Sequence, residues 1–99
     1  PERSEVARLL AQANVRAGNE AAQRREPARA AQAFARAVSL YAALAPCDGA
    51  RCSAADQRTA HQNRIVALYE SGDPVAARAA LAEAEAAGLR FPELGKALH

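Results

Sequence analysis

The sequence predicts an all-α fold with two antiparallel helical hairpins and a short C-terminal capping helix. About three in ten of the 99 residues are alanine, the residue with the highest helix propensity. Apolar residues recur at intervals of three and four, which is the periodicity of one face of a helix. Short turns separate these stretches, so consecutive helices are expected to fold back on each other.

The first hairpin is expected over residues 4–45. Its first helix, residues 4–24, has Ser4 as the capping residue and an apolar pattern along one side. That pattern consists of Val6, Leu9, Leu10, Ala13, Ala17 and Ala21. Residues 24–26 form the turn, and Pro27 begins the second helix because proline suits the first helical position.

The second hairpin is expected over residues 53–88, with Ser53 as the cap of the third helix. Gly72 ends the third helix, and Asp73 caps the fourth helix, which a proline opens. A short helix within residues 91–98 would cover the last apolar face, as terminal caps do in helical arrays. We expect one domain over residues 1–99.

The core of this fold is expected to be thin, because aromatic residues make up only 4% of the chain. Alanine allows helices to approach closely, and a few larger side chains then fill the remaining space. The large core residues are predicted to be Phe34, Tyr41, Leu68, Leu81 and Leu94. Val75 is expected to pack with them from the fourth helix.

The second and fourth helices repeat one apolar pattern: Ala30, Phe34 and Ala37, then Ala77, Leu81 and Ala84. This spacing resembles the A-x3-F-x2-A pattern of tetratricopeptide repeats, a family of stacked helical hairpins. Gly18 and the Gly72-Asp73 turn match positions of the same family. The two patterns are 47 residues apart, whereas the family repeat is about 34 residues long.

The resemblance implies that a partner docks on a concave face formed by the first and third helices. The residues predicted on that face are Gln12, Val15, Asn19, Gln23, Gln62, Asn63, Val66 and Tyr69. Side-chain amides there can form hydrogen bonds with the backbone of an extended peptide. The alternative is that these amides are ordinary solvated helix surface.

Both cysteines of the chain, Cys47 and Cys52, lie in a predicted loop over residues 46–52. Four residues separate them and include the turn-forming pair Asp48-Gly49, so a disulfide bond is predicted. A disulfide would place the domain in the bacterial periplasm or outside the cell, whereas free thiols would place it in the cytoplasm. The bacterial origin is inferred from the excess of arginine and alanine.

The predicted function is that of a protein interaction module, which binds a peptide, a protein or another domain of its parent chain. One alternative is a structural, self-associating helical bundle or spacer, because the thin core leaves few residues to stabilise a monomer. Another alternative is an accessory nucleic-acid-binding domain, since Arg24, Arg25 and Arg29 lie close together and the net charge is +2.

Catalytic, metal and membrane functions find no supporting pattern in the sequence. The two histidines are His61 and His99, and Asp56 is five residues from His61, too far to share one helix face. The cysteine pair with one histidine leaves a zinc site incomplete. No segment approaches the roughly 18 apolar residues of a membrane span. We therefore expect no enzyme activity, no cofactor and no small-molecule substrate.

Overall fold

A computed structural model of the protein describes residues 3–44 and 54–98, and these residues form five helices without a strand. The helices are α1 (Arg3–Gln23), α2 (Pro27–Ala43), α3 (Ala54–Glu70), α4 (Pro74–Ala86) and α5 (Pro92–Leu98). The predicted all-α fold class is confirmed. None of the described helices combines the length and the apolar character that crossing a membrane requires.

Local signals in the sequence set most of the helix boundaries. Asp73 caps α4 as predicted, and its side chain accepts a hydrogen bond of 3.0 Å from the backbone N–H of Ala76. Pro27 and Pro74 open α2 and α4. The predicted capping role of Ser4 is wrong, because α1 already includes Arg3 and Ser4 lies within it. Ser53 lies outside the described residues.

Three helices, α1, α3 and α4, end in the same backbone motif. The residue after each C-cap is Arg25, Gly72 or Gly88, and each has a positive φ, of 58°, 87° and 91° respectively. At the end of α1, Arg25 and Glu26 donate backbone hydrogen bonds of 3.0 and 2.9 Å to the preceding turn. This is the hydrogen-bond pattern of the Schellman motif, which satisfies the last carbonyl groups of a helix.

The largest sets of contacts join helices that are consecutive in sequence: α1 with α2, α2 with α3, and α3 with α4. The order of the contacts is that of antiparallel neighbours, since Ala11 of α1 clusters with Tyr41 near the end of α2. Ala21 of α1, in turn, packs against the cluster of Ala30 at the start of α2. The antiparallel hairpins stay a prediction, which this order of contacts favours.

Helix α1 packs through a different face from the one that its leucines predicted. Ala11 and Gly18 are its buried residues, whereas Val6, Leu9 and Leu10 are exposed. The face with alanine and glycine packs against α2 because small residues let the backbone of α1 approach α2 closely. The predicted apolar side of the first helix is therefore wrong for its N-terminal half.

Three of the five predicted large core residues are buried: Phe34 (3% exposed), Tyr41 (3%) and Leu81 (5%). Leu68 and Leu94 are only partly buried and pack against the edge of the cluster around Ile65. The predicted packing of Val75 is wrong, since its side chain is 67% exposed. It lies at the second position of α4.

The terminal helix α5 covers the end of the core formed by α3 and α4. Phe91 and Leu98 are buried in one cluster with Ile65 and Leu81. The guanidinium of Arg58 lies over the ring of Phe91 at 4.3 Å from its centroid, which adds a cation–π contact between α3 and this segment.

The closest approach of α1 and α2 depends on the absence of a side chain at Gly18. A Cβ atom at this position would lie 2.5 Å from the Cε1 atom of the Phe34 ring. The ring is rigid and buried, so it has little room to move. We expect Gly18→Ala to lower the free energy of unfolding by about 1–3 kcal/mol through overpacking, although alanine is the better helix former.

Urea denaturation would measure this loss, with Gly95→Ala in α5 as the matched control. A Cβ atom at Gly95 meets no neighbour within 4 Å, so that substitution is expected to leave stability equal or higher. The penalty at Gly18 should shrink in a Phe34→Leu background, which shortens the side chain there. If Gly18→Ala, as a single substitution, had the same free energy of unfolding as wild type or a higher one, the described contact would be contradicted.

Candidate functional site

A groove lies between α1 and α3, above the first turns of α2, and we call it the inter-helix groove. It is open on one side and has a volume of about 470 Å³. Asn19 and Ala22 of α1 line one wall, and Asn63, Val66, Ala67 and Glu70 of α3 line the other. Pro27, Ala30 and Phe34 of α2 form its floor, and Arg25 lines it from the turn between α1 and α2.

The groove lies between α1 and α3 because α2 packs against both of these helices. The start of α2 carries a small residue, Ala30, and one large residue, Phe34, and both are buried. Ala67 of α3 belongs to the same cluster, so the floor and the lower part of the α3 wall are apolar. Asn19 on the α1 wall, and Asn63 and Glu70 on the α3 wall, contribute polar side chains.

Three of the eight residues predicted to bind a partner line this groove: Asn19, Asn63 and Val66. Val15 is half-buried and packs against the core between α1 and α2, so little of its side chain is available to a partner. The other four do not line the groove: Gln12 is half-buried, and Gln23, Gln62 and Tyr69 are exposed.

Two charged residues also line the groove: Glu70, which no sequence pattern indicates, and Arg25, which the sequence indicates only as part of a basic cluster for nucleic acid. Both lie at the end where α1 and α3 terminate and α2 begins. Neither side chain has an ion pair or a hydrogen bond within residues 3–44 and 54–98. One feature distinguishes Arg25: it follows the C-cap of α1 with a positive φ, whereas glycine occupies the corresponding position after α3 and α4.

The backbone of Arg25 is strained, since the left-handed region costs a residue with a Cβ atom about 1–2 kcal/mol. We expect Arg25→Gly to raise the free energy of unfolding by about 0.5–1 kcal/mol. The gain is smaller than the relieved strain, because the greater freedom of glycine in the unfolded chain offsets part of it. Urea denaturation would show this gain, with Arg24→Gly as a control that is expected to lose stability. A less stable Arg25→Gly variant would contradict the expectation.

His61 is the one buried polar or charged residue among those described, with 9% of its surface exposed. Its Nδ1 atom has no hydrogen-bond partner within the described part of the chain. Burial lowers the pKa of its imidazole, Arg64 lowers it further, and Glu83 acts in the opposite direction. Arg64 and Glu83 form an ion pair with each other between α3 and α4.

The low pKa of His61 makes stability depend on pH. The unfolded chain binds a proton near the ordinary value of 6.5, whereas the folded chain binds it only at a lower pH. The stabilisation is therefore complete above about pH 6.5 and decreases as the pH falls from there through the folded pKa.

We expect a lower melting temperature at about pH 5 than at about pH 7.5, and a smaller difference in His61→Leu. His99→Gln, which removes the other histidine of the chain, should retain the wild-type difference. An equal pH effect in wild type and His61→Leu would show that another group is responsible.

No group of three or more histidine, cysteine, aspartate or glutamate side chains that could hold a metal ion occurs in the described residues. The predicted disulfide partners Cys47 and Cys52 lie outside those residues. The described site therefore consists of amides, one positive and one negative charge, and an apolar floor.

Comparison with known proteins assigns no family to this chain. No protein family, no curated protein and no solved structure matches its sequence.

Proposed function

We propose that this chain is a protein interaction module that binds an extended peptide segment in the inter-helix groove. The observation that carries the proposal is the pair of asparagines, Asn19 and Asn63, on opposite walls above an apolar floor. A side-chain amide both donates and accepts hydrogen bonds, as does each peptide unit of a backbone. Two such amides can therefore hold an extended backbone from both sides.

The shape of the groove supports a chain segment as the ligand. Its volume of about 470 Å³ and its open side suit a short stretch of peptide that enters and leaves along the groove. Above the buried floor of Ala30 and Phe34, the more accessible residues Ala22, Pro27 and Val66 offer apolar surface for one side chain of that segment. Burial of that side chain would supply most of the affinity, and the amides would fix the orientation of the backbone.

The proposed fold relationship is consistent with this mode of binding. Both repeated apolar patterns are buried, since Ala30, Phe34 and Ala37 match Ala77, Leu81 and Ala84 in burial. In tetratricopeptide repeats the first helix of each hairpin lines the partner face, and here α1 and α3 provide the walls of the groove. We include this tetratricopeptide-like arrangement in the proposal.

A bead library of random short peptides, acetylated and amidated at their ends, tests the proposal. Asn63→Ala is expected to weaken binding of the selected peptides about threefold to tenfold, as loss of one or two hydrogen bonds would. Gln62→Ala is the matched control, because Gln62 is the exposed neighbour of Asn63 and does not line the groove.

Asn19→Ala with the control Gln23→Ala repeats the comparison on the opposite wall. Failure of the folded protein to select any peptide would contradict the proposal. Equal losses in Asn63→Ala and Gln62→Ala would contradict the assignment of the groove as the binding site. Thermal melting of each variant would first show that its fold is intact.

A structural, self-associating role is the second candidate, and the exposed side chains of Val6, Leu9 and Leu10 on α1 favour it. Three large apolar residues on one exposed helix segment are a typical contact surface between subunits. Light scattering over a dilution series tests this role, with the double substitution Leu9→Gln and Leu10→Gln as the variant. A dimer that this variant dissociates would support it, and a monomer at all concentrations would exclude it.

A further inference from the structure

The two walls of the inter-helix groove end in opposite charges. Arg25 lines the groove where α1 ends, and Glu70 lines it as the last residue of α3. Both ends lie beside the start of α2, because Ala21 of α1 and Ala67 of α3 pack against the same cluster as Ala30. Within the described residues, neither charged side chain has an ion-pair partner.

The charged residues nearby do not cancel the opposite charges of Arg25 and Glu70. Arg29 forms an ion pair with Glu26, at 3.3 Å between its Nη1 atom and the carboxylate, so these two charges compensate each other outside the groove. On the α3 side, the carboxylate of Asp73 accepts the capping hydrogen bond of α4. Arg25 and Glu70 are therefore the charges that a ligand in the groove would meet.

An extended peptide places consecutive side chains on opposite sides of its backbone. A peptide that lies along the groove therefore directs one residue towards the α1 wall and the next residue towards the α3 wall. We propose that the ligand is an extended segment with an acidic and a basic residue next to each other, the acidic side chain at Arg25 and the basic one at Glu70. This inference rests on the function proposed above.

The same charges disfavour ligands of a single sign. A uniformly acidic peptide or a nucleic acid would gain from Arg25 but would bring like charge to Glu70. A uniformly basic peptide would gain from Glu70 but would bring like charge to Arg25. Opposed charges at a binding site discriminate among partners more than they add affinity.

The backbone of Arg25 supports its role as a ligand contact. The matching ends of α3 and α4 have Gly72 and Gly88, which adopt a positive φ without strain. Arginine at this position carries a conformational cost and finds no partner within the described part of the chain. A strained residue beside a groove is an observation that points towards function.

The test uses the end-blocked peptide library with four forms of the protein: wild type, Arg25→Glu, Glu70→Arg and the double exchange. Wild type is expected to enrich neighbouring acidic and basic residues. Arg25→Glu makes both walls acidic and should enrich two basic residues, whereas Glu70→Arg should enrich two acidic residues. The double exchange restores one charge of each sign and should again enrich the mixed pair.

Affinities of individual peptides provide the quantitative measure. A mixed-charge peptide selected by wild type should bind about twofold to fivefold more weakly to each single variant, the range of exposed charge pairs. Arg24→Glu and Glu85→Arg are the controls, because both residues are exposed and neither lines the groove. Added salt should reduce the affinity of wild type for the mixed-charge peptide.

Failure of this inference differs from failure of the proposed function. If all four forms select peptides with the same charge pattern, the charge specificity is wrong although the groove binds peptides. If Glu70→Arg binds the peptides selected by wild type more tightly, the natural partner carries negative charge alone, as a nucleic acid or an acidic segment does, and the inference is overturned. If no form selects any peptide, both proposals fail.

Discussion

Replacing Phe34 with alanine is expected to lower the free energy of unfolding by about 3–5 kcal/mol. The side chain is buried, with 3% of its surface exposed, and it joins α1, α2 and α3 in one cluster. Small domains are stable by only about 5–15 kcal/mol in total, so this single change would remove a large share of the stability.

The loss should lie in the upper part of that range because of Gly18. The Phe34 ring fills the space where a side chain of residue 18 would be, at distances that would exclude even a Cβ atom. After truncation, Gly18 has no side chain that could move into the vacated volume. A cavity that cannot collapse adds its own cost to the lost hydrophobic burial.

Chemical denaturation followed by circular dichroism measures this change, with Tyr69→Ala as the control. Tyr69 is also aromatic but is 53% exposed, so its truncation should alter stability by less than about 0.5 kcal/mol. Phe34→Ala should also reduce peptide binding, because the ring belongs to the floor of the groove. Equal stability of the two variants would refute the packing of α1 on α2 described above.

The helix boundaries could be predicted closely from local chemistry. Proline at the first helical position and aspartate or glycine at the helix ends act through the backbone of adjacent residues, independently of tertiary contacts. The prediction therefore gives the correct start of α4, at Pro74, and the bounds of α5 to within one residue at each end. Ser4 misled because a serine near a helix start has the same appearance whether it caps the helix or lies inside it.

The packing faces were harder to predict, because alanine on every side of a helix gives weak contrast between faces. In α1 the leucines suggested one face, but close approach to α2 requires the small residues Ala11 and Gly18 instead. Similarly, His61 is buried in α3 although histidine has only an intermediate tendency to be buried. Such choices depend on the partner helix, which a single segment of sequence does not contain.

Only some residues of the groove could be predicted, because its lining also depends on how the helices pack. The tetratricopeptide resemblance implies a partner face formed by α1 and α3, and three of the eight residues predicted on it, Asn19, Asn63 and Val66, line the groove. That a partner binds there stays a prediction. Arg25 belongs to a turn and is predicted only for the nucleic-acid alternative, and Phe34 is predicted as core, so neither is expected in a peptide-binding groove. Their presence in the groove results from the way in which α2 supports both walls.

Replacing Leu81 with alanine is expected to lower the free energy of unfolding by about 2–5 kcal/mol. Leu81 is the counterpart of Phe34 in the second repeated pattern and is 5% exposed. It packs in one cluster with Ile65, Phe91 and Leu98, so its truncation affects the contacts among α3, α4 and α5 together.

The cost at Leu81 should be smaller than the cost at Phe34, because the two sites divide their volume differently. The residue 47 positions before Ile65 is Gly18, so the first site pairs glycine with phenylalanine and the second pairs isoleucine with leucine. The Ile65 side chain can move towards the space that Leu81→Ala creates, and partial collapse reduces the cavity cost.

Val75→Ala in the same helix is the control, with an expected change of less than about 0.5 kcal/mol. Parallel denaturation of the three variants would test this order, and a larger loss at Leu81 than at Phe34 would mean that the glycine site is not the tighter of the two.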